Sequence, residues 1–136
     1  MKSLTPQEAI IYLMVMVSAS DRDMVDPELS RIGAIVRTLP AFRKFDEART
    51  VDVARACQRW LQRENGFDEI LDAAAVAIPV EAHDTAYALA VDIAVADLQV
   101  EPEELKMLHI LRGRLSVDKA TVAAIHLAAK VRHRSF

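Results

Sequence analysis

The sequence predicts an all-α fold: a single domain of about seven helices, two of its helical hairpins duplicated around a shared core. Three observations lead there. Apolar residues recur at helical rather than alternating spacing along the chain. The composition is 52% apolar but poor in aromatics and glycine, with three glycines in 136 residues. Two stretches 76 positions apart, "IIYLMVMVSASDRDMVDPELSRI" and "AYALAVDIAVADLQVEPEELKML", also match in their apolar and acidic positions. At this length one domain can bury a sizeable core without disulfides or metals.

The first helix is expected at 6–20. Thr5 reads as its N-cap, Pro6 as its first residue and Glu8 as the closing partner of a capping box. Lys2 ahead of "IIYLMVMV" imitates a secretion signal, but the capping residues and the repeat argue for a helix of the fold. A second helix, 27–38, opens at Pro27 behind Asp26 and stops at Pro40. The third, 46–64, ends at Asn65-Gly66, where Gly66 is expected as a left-handed cap. The fourth, 67–77, is broken by Pro79. Helices at 81–97, 102–115 and 118–132 follow, with Pro102 opening the sixth and Asp118 capping the seventh.

The 76-residue offset pairs Leu13 with Leu89, Val15 with Val91, Val17 with Ile93, Ile32 with Leu108 and Leu39 with Leu115. It also pairs Asp21 with Asp97 and Glu28 with Glu104, without a gap. The first and fifth helices are apolar nearly all round, as central helices are. The second and sixth carry a one-sided stripe.

Charge and composition exclude several classes. Residues 64–104 hold eleven acidic residues and no Lys or Arg, whereas 105–136 carry a net +6. Two electrostatic faces are expected if folding keeps these segments apart. No basic stripe with interleaved aromatics points to nucleic acid. No apolar run reaches the roughly 20 residues of a membrane span. The single cysteine, Cys57, shares a helix face with Ala54, Trp60 and Leu61 and reads as core. His83, His109, His126 and His133 lack zinc-ligand spacing, and His109 and His126 border apolar stripes. No serine, histidine and acid arrangement or glycine-rich phosphate loop is present, so an enzyme is not expected. Asp92, alone in an apolar helix, calls for a partner. Arg55, Arg59 and Arg63 form a ladder with four-residue spacing: a solvated face, or a basic ridge for an anionic partner.

The functional lead lies in the two acidic turns. An aspartate just past a helix C-terminus meets unpaired carbonyls and the negative end of the dipole, at a cost of about 0.3–1 kcal/mol. A hard divalent cation would compensate, since carboxylates and free carbonyls are what calcium and magnesium accept. Asp21, Asp23, Asp26 and Glu28 crowd the first turn; Asp97, Glu101, Glu103 and Glu104 crowd the second. Capping accounts for the same residues, with the aspartates on turn amides and the glutamates at the positive ends of the next helices.

The doubled arrangement of an apolar helix, then Ala-Asp-x-x-Val-x-x-x-Glu (with Ser20 and Met24 in the alanine and valine places of the first copy), then leucine at helical spacing resembles the tellurite-resistance TerB family. The likeness is closer in "VADLQVEPEELKMLHIL" than in "SASDRDMVDPELSRIGAIV". It implies an all-helical cytoplasmic protein associated with stress response. It also implies a metal site at Asp21, Glu28, Asp97 and Glu104, with Asp23 adjacent; the oxygen donors favour calcium or magnesium as the ion. The family often has glycine after the aspartate, where Arg22 and Leu98 stand here. Arg22 can neutralise its own turn, which makes the first turn the weaker metal candidate. The competing expectation is a metal-free domain that docks protein partners through an acidic patch and the basic ridge.

Overall fold

The structure is a computed structural model that describes residues 3–19, 24–95 and 102–136, the side chains of Ala19 and residues 102–104 excepted. Seven α-helices occupy the described residues: α1 (Pro6–Ala19), α2 (Asp26–Thr38), α3 (Thr50–Leu61), α4 (Gly66–Ala77), α5 (His83–Val95), α6 (Pro102–Arg114) and α7 (Lys119–Arg132). Three single 3-10 turns lie at Pro40–Phe42, Glu47–Arg49 and Val80–Ala82, and no strand occurs among the described residues. No helix there is long and apolar enough to cross a membrane.

α1 begins as its sequence dictates. The Thr5 hydroxyl accepts from the Glu8 amide at 3.2 Å, and the Glu8 carboxylate accepts from the Thr5 amide at 2.9 Å. From Ala9 to Val17 every residue of α1 is buried, because the helix packs on α2, α3, α4, α5 and α6. A helix surrounded in this way needs no polar face. Its largest interface is with α5, which buries Ala86, Tyr87, Leu89, Ala90, Val91, Ile93 and Ala94. α7 lies on the far side, packed chiefly on α5 and capped by Asp118, whose carboxylate accepts from the Thr121 amide at 2.8 Å.

Three local expectations are corrected. α3 starts at Thr50 rather than 46, because the Asp46 carboxylate accepts from the Ala48 amide at 3.0 Å and closes a separate 3-10 turn first. α5 starts at His83 rather than 81, since the Ala82 amide is drawn to the Pro79 carbonyl at 2.8 Å. The left-handed residue between α3 and α4 is Asn65, with φ 63°, and Gly66 is already helical. Asparagine tolerates that region. Gly66 is needed for proximity instead, as a Cβ there would lie 2.0 Å from the Trp60 carbonyl oxygen.

The 76-residue period recurs among the described residues: α2 and α6 end 76 positions apart, at Thr38 and Arg114. The pairs Leu13 and Leu89, Val15 and Val91, Val17 and Ile93, and Ile32 and Leu108 are buried at both positions. The likeness weakens outward: Leu29 is half-buried, whereas Leu105 is exposed.

Folding also brings the acidic segment to the basic C-terminal one. Arg114 of α6 bonds Asp72 at 2.6 Å and reaches Asp68 at 3.4 Å, both on α4. Arg132 of α7 pairs with Asp92 of α5, the partner that this carboxylate requires. These pairs are largely exposed, and each contributes on the order of 0–1 kcal/mol. Their effect is to interleave charges that are separate in sequence.

Candidate functional site

Of the residues expected at the acidic turns, Asp21, Asp23 and Asp97 lie outside the described residues, and Glu104 is placed only by its backbone in α6. Glu28 is described in full. It is buried near the start of α2, and its carboxylate accepts from the Val25 amide at 3.0 Å. Val25 has no side-chain acceptor to return, so the Glu28 amide bonds the Val25 carbonyl at 3.0 Å instead. Glu28 thus performs half of a capping box. Among the described residues, no group of three His, Cys, Asp or Glu side chains is arranged to hold a metal ion.

A groove of about 430 Å³ opens between the start of α1 and the outer face of α3. α3 presents Asp52, Ala56 and Arg59 along one helical face, Arg63 follows in the turn beyond its end, and α1 presents Glu8 and Tyr12. The ladder seen in sequence therefore divides. Arg59 and Arg63 line the groove, whereas Arg55 is turned to Gln58, whose side-chain oxygen accepts at 3.1 Å. Arg63 stacks over the Trp60 indole, 4.3 Å from the ring centre. Arg49 holds Glu8 at 2.9 Å. Burial pushes the Glu8 carboxyl up, but hydrogen bonds from Thr5 and Arg49 outweigh it and leave Glu8 below the usual carboxylate range. Burial raises the Tyr12 phenol, with the neighbouring Cys57 and Glu8 adding to the effect and Arg59 opposing it. Tyr12 is therefore a hydroxyl donor at neutral pH.

Cys57 is fully buried, its thiol directed to the Tyr12 carbonyl at 3.7 Å, and burial pushes its pKa far above that of a reactive thiol. That matches the core position expected of it. His126 meets the Tyr87 hydroxyl at 2.7 Å, and burial together with the nearby Arg112 lowers its pKa. Burial likewise raises the Tyr87 phenol, with Arg112 opposing. The hydroxyl is thus the donor and the neutral imidazole Nε2 the acceptor. His109 is exposed.

His83 has a role that helix periodicity did not suggest. It is buried at the start of α5, with Nε2 2.9 Å from the Ile78 carbonyl and 3.2 Å from that of Ala75, while Nδ1 accepts from the Ser116 amide at 2.9 Å. These bonds fix the tautomer with the proton on Nε2. Ala75 stands four residues before Pro79, which has no N–H to offer its carbonyl. His83 supplies the missing donor and ties the end of α4 to the α6–α7 connection. The signal in sequence is the proline four residues past Ala75, with a histidine four residues further on.

Comparison with protein-family models, with curated proteins and with solved structures gave no match.

Proposed function

We propose that the chain is a TerB-like binding module, built from two related helical hairpins, which takes a divalent cation, calcium or magnesium, at its acidic inter-helix turns. The observation that supports this reading is the burial of equivalent apolar positions at the 76-residue offset, Leu13 with Leu89, Val15 with Val91, Val17 with Ile93 and Ile32 with Leu108, an offset that carries Asp21 onto Asp97 and Glu28 onto Glu104 in sequence. The carbonyls that a helix C-terminus leaves unpaired and the carboxylates of such a turn are hard oxygen donors. On this reading α1–α2 and α5–α6 superpose with Asp21 over Asp97. The same resemblance implies a cytoplasmic, stress-associated role, exercised by binding rather than catalysis and through protein partners.

The second turn is the stronger site. Glu28 already caps Val25, and Arg22 stands beside Asp21, whereas Asp97 and Glu104 belong to a segment without Lys or Arg. Calorimetric titration with calcium, magnesium and zinc tests the proposal. Asp97→Asn and Glu104→Gln are expected to weaken binding more than Asp21→Asn and Glu28→Gln. An ion at a hundredfold excess over its Kd adds about 2.7 kcal/mol to the folded state, so melting should rise in wild type and stay flat in the second-turn variants. No heat and no change in melting would leave the acids as caps and favour the metal-free interaction domain.

A further inference from the structure

The groove between α1 and α3 has the features of a ligand site, independent of any cation at the turns. The Tyr12 ring is buried, and its hydroxyl, which makes no hydrogen bond among the described residues, is open to the groove. Beside it the Trp60 indole nitrogen is buried with no partner among the described residues; buried polar groups are normally partnered, and an exception calls for an explanation. Here the tyrosine lines an open groove of about 430 Å³, within the size range of small-molecule sites. Arg59 lines the same groove close enough for its charge to act on the phenol. Neither Arg59 nor Arg63 has a carboxylate partner among the described residues.

The charges at the groove select the ligand. Arg49, Arg59 and Arg63 face Glu8 and Asp52, a net charge of +1. Arg49 is held by Glu8, which leaves Arg59 and Arg63 for an incoming group. The two carboxylates disfavour a dianion or a polyanion, and one carboxylate balances the site. Val53, Ala56 and the Trp60 ring supply an apolar floor. We propose that this groove binds a small amphipathic monocarboxylate, its carboxylate accepting from the Tyr12 hydroxyl and the Arg59 guanidinium and its apolar body lying against α3 beside Trp60. An Arg and a phenol together offer the charge-assisted bonds that a carboxylate needs, at a partly desolvated position where they are strongest.

Trp60 is the only tryptophan, so its indole N–H gives a single, assignable NMR signal beside the groove. The full chain, with chelator present to remove divalent cations, is titrated with 4-phenylbutyrate, with its neutral counterpart 4-phenylbutanol and with inorganic phosphate. 4-Phenylbutyrate is expected to shift the Trp60 signal saturably and to bind at least about tenfold more tightly than the alcohol, with phosphate weaker still. Arg59→Gln should weaken 4-phenylbutyrate by about tenfold. Tyr12→Phe, which removes one unpartnered hydroxyl and keeps the ring, should weaken it by about three- to tenfold while melting stays level. Arg55→Gln, outside the groove, should leave binding as it is. The proposal is overturned by absence of 4-phenylbutyrate binding up to ~10 mM, or by alcohol or phosphate binding as tightly. It is equally overturned if Tyr12→Phe and Arg59→Gln both retain wild-type affinity.

Discussion

Replacing His83 with leucine removes three polar contacts at one buried point while nearly keeping the volume. The Ile78 and Ala75 carbonyls lose their shared donor, and the Ser116 amide loses its acceptor. A buried group left without a partner costs about 1–3 kcal/mol. Ser116 is exposed, so its amide turns to water and falls at the low end. The extra apolar burial of leucine recovers about 1 kcal/mol. The net cost is about 2–4 kcal/mol, and His83→Ala, which adds a cavity, should cost about 3–5 kcal/mol. With 136 residues the unfolding entropy is about 0.3 kcal/mol per degree, so His83→Leu should lower Tm by about 7–13 °C. Thermal and urea denaturation followed by circular dichroism measure this, with His109→Leu at an exposed site as a control expected to stay within about 0.5 kcal/mol. A His83→Leu protein that melts within about 2 °C of wild type would refute the argument that His83 completes the end of α4.

Gly66→Ala should be strongly destabilising, by at least about 3 kcal/mol, because its Cβ would lie 2.0 Å from a backbone oxygen that can move only with the whole α3–α4 turn. Gly113→Ala, with nothing within 4 Å, should instead gain about 0.5–1 kcal/mol from helix propensity; equal effects in urea melts would contradict the crowding at Gly66. The lowered pKa of His126 means that the unfolded chain takes up a proton first as pH falls. Its contribution is complete above the ordinary imidazole value of 6.5 and is lost as pH drops from there through the lower folded value. His126→Gln should flatten the fall in Tm over that interval, and a variant that tracks wild type across it would count against burial beside Arg112 as the cause.

The sequence by itself determined the helical class, most helix limits and the central place of α1 and α5, because each depends on local periodicity and capping. Thr5 with Glu8 and Asp118 with Thr121 are contacts within one turn, legible wherever they occur. So was the burial of Cys57, which follows from the face it shares. Gly66 was misread because the Asn-Gly pair marks a turn without saying which residue takes the left-handed conformation, and the close approach of the Trp60 carbonyl is not written locally. Only the tertiary structure decided which long-range groups meet. Arg114 reaches Asp72 across 42 positions and Arg132 reaches Asp92 across 40, which interleaves charges that the linear order separates. The groove is of the same kind: Tyr12 looks like one more apolar residue of α1, and Arg59 like one rung of a solvated ladder. Their proximity exists because α1 is enclosed by its neighbours and α3 crosses it, leaving the tyrosine ring in the core and its hydroxyl beside a row of guanidinium groups.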